Sequence, residues 1–295
     1  MADLTNWTGV REILTRYDLM PKKGLGQNFL MDRNILHKII DSLELTGGEY
    51  VVEIGPGLGV LTRELAKRAQ GVLVIDMDTR LKPVLAESCG GFTNLSILFA
   101  DVLKTDIESA LREAFGLPET PPFLVCANIP YNITTPIIFD LLENCPHLTS
   151  ATLMMQKEVA GRLTAQKDSK SYGRLTLTAG YFARTEQVLT VSRNCFHPVP
   201  QVDSVVVRIT PYAEKPLAAH NERALKSLFA VAFQQRRKTI LKTFAGFFGC
   251  SREDMETALV RLSLSPQARP ENLSLAQYVQ LINAFYPDEP EKQEK

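Results

Sequence analysis

Two stretches carry residues whose types and spacing could do chemistry: Val51-Val52-Glu53-Ile54-Gly55-Pro56-Gly57-Leu58-Gly59 and Asn128-Ile129-Pro130-Tyr131. In the first, an apolar run ends in an acid and a glycine-rich turn. Leu58, Leu61, Leu65 and Ala69 then recur at helical spacing, so the stretch reads as strand, loop and helix. Glycines there let the backbone turn sharply and approach a ligand whose space a Cβ would occupy. A nucleotide-like ligand is the expectation; a turn that serves packing alone is the alternative. Dinucleotide sites use G-x-G-x-x-G, which presents a helix N-terminus to a pyrophosphate. Here the glycines follow G-x-G-x-G with Glu53 in front. A carboxylate at that strand tip repels a pyrophosphate but suits the cationic methionine end of S-adenosylmethionine. S-adenosylmethionine is therefore preferred to NAD, with Glu53, Gly55 and Gly57 at the cofactor.

The N-x-P-Y pattern at 128–131 suits methylation of an exocyclic amine on a nucleobase. Such an amine is a poor nucleophile because its lone pair is delocalised into the ring. The Asn128 side-chain oxygen and a main-chain carbonyl near Ile129 could hold its two hydrogens and turn the lone pair toward a sulfonium methyl. Pro130 and Tyr131 then face the base, Tyr131 by stacking. No strong base is needed, since the cationic product amine can lose its proton to water, so catalysis is mainly positioning and desolvation. Flipping a base out of RNA costs a few kcal/mol; aromatic stacking returns roughly 1–3 kcal/mol. Phe196, in the stiff proline-rich loop Phe196–Ser204, is the expected second ring, with a core position as its alternative.

The elements that must position these groups follow from the pattern. Val72–Ile75 reads as a buried parallel strand ending at Asp76, suited to both hydroxyls of a ribose, while Asp78 suits a helix N-cap. Leu95–Phe99 is a third strand, and Asp101 past its end could accept from an adenine amino group. Phe123–Ala127 is a fourth, delivering Asn128 to the same sheet edge. Asp32 caps a helix with Ile35, Leu36, Ile39, Ile40 and Leu43 on its apolar face, and Thr135-Pro136 looks like an N-cap and first helical residue. Ala151–Met155 is a fifth strand. Leu175–Ala183 and Gln187–Val191 do not divide cleanly, and the last strands read as an antiparallel pair closing the sheet, Val205–Ile209 being the final one. After the linker 210–216 every periodic segment is helical, with Ser251 and Ser274 as N-caps. The fold class expected is α/β, a Rossmann-like class I methyltransferase sheet with an antiparallel final strand, plus a small all-helical C-terminal domain. The divisions are an N-terminal helix and cofactor-closing loop (1–30), a methyltransferase domain (31–211), a helical domain (217–286), rRNA-binding by the family resemblance given below, and a disordered tail (287–295).

Length and composition bound the class. A chain of 295 residues with 45% hydrophobic content folds as a globular protein. No apolar run reaches membrane-spanning length and no signal-peptide pattern is present, so a soluble cytoplasmic protein is expected. The five cysteines never stand at C-x-x-C spacing, which argues for reduced thiols and no metal site. The formal net charge of +0 gives no global field for nucleic acid, so RNA must be met by local charge: Lys22-Lys23, or Arg236-Arg237-Lys238 with Lys242. A solvated face is the alternative for each.

With these residues in view, the chain resembles the KsgA/RsmA family of small-subunit rRNA adenine dimethyltransferases. The likeness runs from about Lys22 to Phe285. It rests on Gly26-Gln27-Asn28-Phe29-Leu30, Glu53–Gly59, Asn128–Tyr131, the F-x-P-x-P-x-V-x-S pattern at 196–204 and Phe233–Thr239. The resemblance implies S-adenosylmethionine contacts at Asn28, Leu30, Gly55, Asp76, Asp101 and Asn128. It implies that two neighbouring adenosines in the 3′-terminal hairpin each receive two methyl groups on N6, and that the partner is the immature small subunit, met by a monomer. Asp76 stands where the family usually has glutamate, and Ala100 replaces a common glycine. Rival readings are the related erythromycin-resistance family, which modifies large-subunit rRNA, a non-catalytic assembly factor, and an NAD dehydrogenase.

Overall fold

The structure, a computed structural model, describes residues 3–21, 27–130 and 133–287. In chain order the elements are α1 (Trp7–Arg16), β1 (Phe29–Leu30), α2 (Arg33–Asp41), β2 (Tyr50–Ile54), α3 (Val60–Ala66), β3 (Gly71–Asp76), α4 (Lys82–Cys89), β4 (Leu95–Phe99), α5 (Ile107–Phe115), β5 (Phe123–Asn128), α6 (Thr134–Asn144) and β6 (Leu148–Gln156). They continue as α7 (Lys157–Leu163), α8 (Arg174–Phe182), β7 (Ala183–Val191), β8 (Phe196–His197), β9 (Ser204–Pro211), α9 (Glu222–Gln234), α10 (Ile240–Phe248), α11 (Arg252–Arg261) and α12 (Leu275–Phe285).

Seven strands form one sheet in the order β4-β3-β2-β5-β6-β9-β7. The apolar runs Val51-Val52, Val72–Ile75 and Phe123–Ala127 are buried on both faces, as strands in a parallel sheet must be. Pairing from β4 through β6 is parallel, and β9 runs antiparallel to β6. The antiparallel strand thus lies one place in from the edge, with β7 outside it. Leu175–Phe182, where periodicity was indecisive, is helical, and the strand begins at Ala183. A separate two-stranded ribbon pairs β1 with β8, Leu30 opposite Phe196.

Local caps follow side-chain chemistry. Asp32 accepts from Ile35 N at 3.0 Å, and Ser251 and Ser274 accept from Asp254 N and Gln277 N. Helix α6 starts at Thr134, just before the expected Thr135-Pro136 start, with Ile133 in the cap position.

Two compact units divide the described chain. One runs to Ala160 and includes Arg184–Pro211; the other comprises Gly161–Ala183 and the chain from Tyr212. The second unit therefore includes α8, which precedes the linker 210–216 in the chain. Its core is built on Leu225, Phe229, Phe244, Met255 and Tyr278, with the Phe229 and Tyr278 rings edge to face at 5.4 Å. Each of its three buried phenols finds an acceptor: Tyr278 Oη donates to Pro270 O and Tyr172 Oη to Leu273 O, both at 2.9 Å, and Tyr181 Oη to Glu222 Oε1 at 3.0 Å. Among the described residues no helix is long and apolar enough to cross a membrane.

Candidate active site

The sheet order converts a scattered set of residues into a row. Strands β4, β3, β2 and β5 are neighbours and parallel, so Asp101, Asp76, Gly55 and Asn128 emerge side by side at their carboxyl ends. Strand order reverses between β2 and β5, the point at which open α/β sheets leave a crevice for ligands. A cavity of about 140 Å³ opens there, lined by Asn28, Gly55, Gly57, Asp76, Asp101 and Asn128 together with Leu30 and Pro130. The sequence-predicted residues at 28, 30, 55, 57, 76, 101, 128 and 130 all meet at this one cavity. Tyr131 lies outside the described residues.

Gly55 adopts φ +72°, a left-handed conformation, and a Cβ there would stand 3.6 Å from the Asn128 carbonyl oxygen. The missing side chain keeps the floor open at the reversal point. Gly55 N donates to Ile75 O at 3.0 Å, tying the loop to β3.

Asp76 is the last residue of β3. Asp78 N donates to its Oδ1 at 2.7 Å, and burial pushes its carboxyl up to about 6 against that bond. Asp101 accepts from Leu103 N at 3.1 Å and stands 3.7 Å from the Lys104 ammonium. Both are short acids at cavity walls, the kind of acceptor that an adenosine's ribose hydroxyls and amino group require. Asp78 takes the capping role: it accepts from Arg80 N and receives the Arg80 guanidinium at 2.6 and 2.8 Å. Gln27 also donates to it at 2.9 Å, which fastens the segment before β1 to the exit of β3. The burial of Asp78 is matched by the guanidinium, which holds its carboxyl below the usual range.

Asn128 ends β5. Its Nδ2 donates to the Asn28 carbonyl at 3.1 Å, and Ile129 N donates to Met154 O at 3.2 Å. The first bond uses the donor half of the amide, so Oδ1 is the half left for a ligand.

Glu53 is placed differently from the expectation. It is fully buried beneath the glycine loop and does not line the cavity. Neither carboxyl oxygen has a hydrogen-bond partner, nor does the Thr62 hydroxyl, which is also buried. Burial drives the Glu53 carboxyl up to about 8; Thr62 opposes this and the charge on Asp76 adds to it. Its link to a bound cation would be through the field at short range, with no direct contact.

Phe196 also departs from the expected place. It is 1% exposed and packs with Leu30, Leu36 and Ile40 in the core, because pairing of β8 with β1 turns its ring inward. The ring that this ribbon leaves outside is His197, 4.1 Å from that of Trp7. The structure thus places Phe196 in the core, the alternative to an exposed ring, where it sets the ribbon that carries Leu30.

In the helical unit the basic run also divides. Arg236 donates to the carbonyls of Lys170 (2.5 Å) and Ser169 (3.0 Å) and stands 3.6 Å from Glu271. It clamps a turn and is spent on structure. Arg237 and Lys238, on the turn between α9 and α10, are exposed.

Several lining residues escaped the sequence reading, Val60, Val102 and Ile133 among them. Leu4 and Val10 come from the N-terminal segment and α1, and Met77 follows Asp76. Val10 was legible as apolar helix face, but nothing in its pattern says that the helix covers a cavity.

The sequence matches the family described as ribosomal RNA adenine dimethylase over residues 20–286. A ribosomal RNA small subunit methyltransferase A of Geobacillus thermodenitrificans is 41% identical over 280 residues, covering 94% of this chain and 95% of that protein. Its namesake in Anoxybacillus flavithermus is 38% identical over 97% of both chains. Among solved structures, a dimethyladenosine transferase from Plasmodium falciparum superposes with a TM-score of 0.72 at 29% identity, covering 87% of this chain and 96% of that one. The 23S rRNA methyltransferase ErmE superposes with a TM-score of 0.65 at 30% identity, covering 87% and 98%. The sheet, the row of strand-end residues and these full-length likenesses agree: the chain belongs to the ribosomal RNA adenine dimethylase family.

Proposed function

We propose that this protein transfers methyl groups from S-adenosylmethionine to N6 of two adjacent adenosines in the 3′-terminal hairpin of small-subunit rRNA, during assembly of the subunit in the cytoplasm. The observation that carries the reading is the Asn128 amide, held by Asn28 O with its oxygen left over, at the mouth of a cavity walled by Asp76, Asp101 and the glycine loop.

The residues fit the methyl donor. The Gly55 turn leaves space where a Cβ would project, Asp76 and Asp101 offer acceptors for ribose and adenine, and a cation bound above the loop would favour the ionised form of the buried Glu53 carboxyl, whose charge would then hold it. Bound there, S-adenosylmethionine supplies a methyl group on a cationic sulfur. Asn128 Oδ1 accepts from the exocyclic amine, and a carbonyl near Ile129 takes the second hydrogen. That pair of acceptors withdraws the lone pair from conjugation and aims it across the cavity. Apolar lining from Leu4, Val10, Leu30 and Leu58 excludes water from the line of transfer. After a first transfer only one hydrogen remains to be held, so the second relies on position more than on hydrogen bonding. Arg237 and Lys238 in the helical unit supply local positive charge for the rRNA backbone, so that the sheet unit carries the chemistry and the helical unit, with Gly161–Ala183 in it, holds RNA.

A large-subunit substrate is the second reading, because the fold superposes on ErmE. The relatives at 38–41% identity, named for the small subunit, favour the first. Mass spectrometry of nucleosides from unmethylated small subunits, large subunits and naked rRNA, each incubated with protein and S-adenosylmethionine, decides between them. N6,N6-dimethyladenosine confined to small subunits is expected. Product confined to large-subunit RNA reassigns the substrate; no product in any arm rejects the proposal.

A further inference from the structure

A second concavity, of about 320 Å³, lies between the N-terminal segment, α2 and α3 in the sheet unit, and the mechanism above makes no use of it. Its charged lining follows helical spacing. Arg33 and His37 are four apart on α2, and Arg63 of α3 is four residues before Lys67, the helical C-cap of α3, so each pair shares a helix face and the two faces meet one pocket. Asp3 and Glu64 line the pocket as well, so Arg33, Arg63 and Lys67 outnumber its carboxylates by one, a small local excess of positive charge in a chain of formal net charge +0.

The cations are held in different ways. Arg33 is paired with Asp3 at 2.8 Å and Lys67 with Glu64 at 2.6 Å. Both pairs have an exposed cation, and solvent-screened pairs of this kind exchange readily. The side chains of Arg63 and His37 make no hydrogen bond or ion pair among the described residues, although Arg63 is half-buried. A half-buried guanidinium in a polar pocket keeps its planar fork of donors available, the geometry that suits a phosphate. Leu4 and Val60 line both this pocket and the cavity of the active site, so the two concavities share a wall.

We infer that the α2–α3 pocket is a second RNA contact, a subsite in which Arg63, assisted by Arg33, His37 and Lys67, holds a backbone phosphodiester of the strand whose base enters the adjoining cavity. An incoming phosphate displaces Asp3 from Arg33, which makes the N-terminal segment a placeholder for the RNA. The inference rests on the rRNA-methylation reading and adds a contact on the sheet unit to the one expected at Arg237 and Lys238.

The test uses the full chain carrying Arg63→Gln or Arg63→Glu, with Lys67→Glu as an independent variant should either fail to fold. Binding to unmethylated small subunits is measured across a salt series, and S-adenosylmethionine binding and Tm are recorded on the same preparations. Arg63→Glu is expected to weaken subunit binding several-fold and to lower the slope of log affinity against log salt by about one. Arg63→Gln should fall between it and the unaltered protein. Cofactor affinity should not change. Unaltered subunit affinity and salt slope in the folded variants overturn the inference and leave a solvated helix face. Methylation of small subunits by the unaltered protein is scored in parallel, so that failure of the functional reading is seen separately from failure of this contact.

Discussion

The Asn128 side chain donates to the main-chain oxygen of Asn28 at 3.1 Å, across 100 residues of sequence. One bond does two things: it pins the strand β1 segment over the cavity, and it decides which half of the amide faces a ligand. Replacing Asn128 therefore tests positioning and closure together. Asn128→Ala should cut methyl transfer by on the order of 10²–10³, the cost of losing one preorganised polar group at a reacting centre. Asn128→Asp keeps an acceptor but loses the donor to Asn28 O, and should be impaired mainly through weaker cofactor retention. Single-turnover assays with separate cofactor titrations distinguish the two; full turnover by Asn128→Ala sinks the assignment.

Gly55 and Gly59 share a positive φ but differ in surroundings. At Gly59 a Cβ would stand 2.8 Å from Cys89 Sγ and from Ser88 Oγ on α4. At Gly55 its nearest neighbour is 3.6 Å away, an ordinary contact. Gly59→Ala should combine backbone strain with overpacking and lose about 2–4 kcal/mol of stability. Gly55→Ala should lose about 1–2 kcal/mol from strain alone while blocking the cofactor. Chemical denaturation and equilibrium binding read the two effects; equal stability losses would refute the packing argument.

Glu53 predicts a pH dependence whose sign follows from burial. Its carboxyl rises from an unfolded value of 4.5 to about 8 in the fold, so the native state holds a proton that the unfolded chain releases. Its contribution opposes folding, is absent below pH 4.5, grows as pH rises and is complete above about 8. Asp76, shifted up to about 6, adds a smaller effect of the same sign between its unfolded value of 3.8 and that pH. Without cofactor, Tm should fall between pH 5 and 8, and Glu53→Gln should flatten that fall. Parallel Tm profiles for the two proteins would exclude Glu53 as the source. Glu53→Ala is expected to abolish methylation by removing the carboxyl that ionises when a cation binds above the loop, which activity at pH 8 would check.

The basic turn before α10 separates structural from RNA-facing charge. Arg236→Ala should destabilise the helical unit by about 1–3 kcal/mol, because the carbonyls of Ser169 and Lys170 lose charge-assisted donors. Arg237→Ala with Lys238→Ala should leave Tm unchanged and weaken subunit binding in a salt-dependent way. Unfolding curves beside salt-titrated binding give the answer, and loss of stability in the double variant would contradict it.

Much of the site was legible in one dimension because its parts are local. Gly55, Asp76, Asp101 and Asn128 each stand at or just beyond the end of an apolar run, and a parallel sheet buried on both faces puts such ends on one edge whatever the strand order. The glycine spacing and the Asn128–Pro130 pattern likewise express short-range geometry, the angle of a turn and the placement of two acceptors. Tertiary structure decided what depends on distant partners. Strand order put β2 beside β5 and so made Gly55 and Asn128 neighbours. Pairing of β8 with β1 sent Phe196 into the core when its loop sequence was equally compatible with an exposed ring. The clamp on Ser169 and Lys170 took Arg236 out of a run of three basic residues that look alike in sequence. Burial of Glu53, and with it the rise of its carboxyl, came from layers folded above and below the loop. Spacing along a chain reports which face a residue shares with its near neighbours; only long-range packing determines what covers that face.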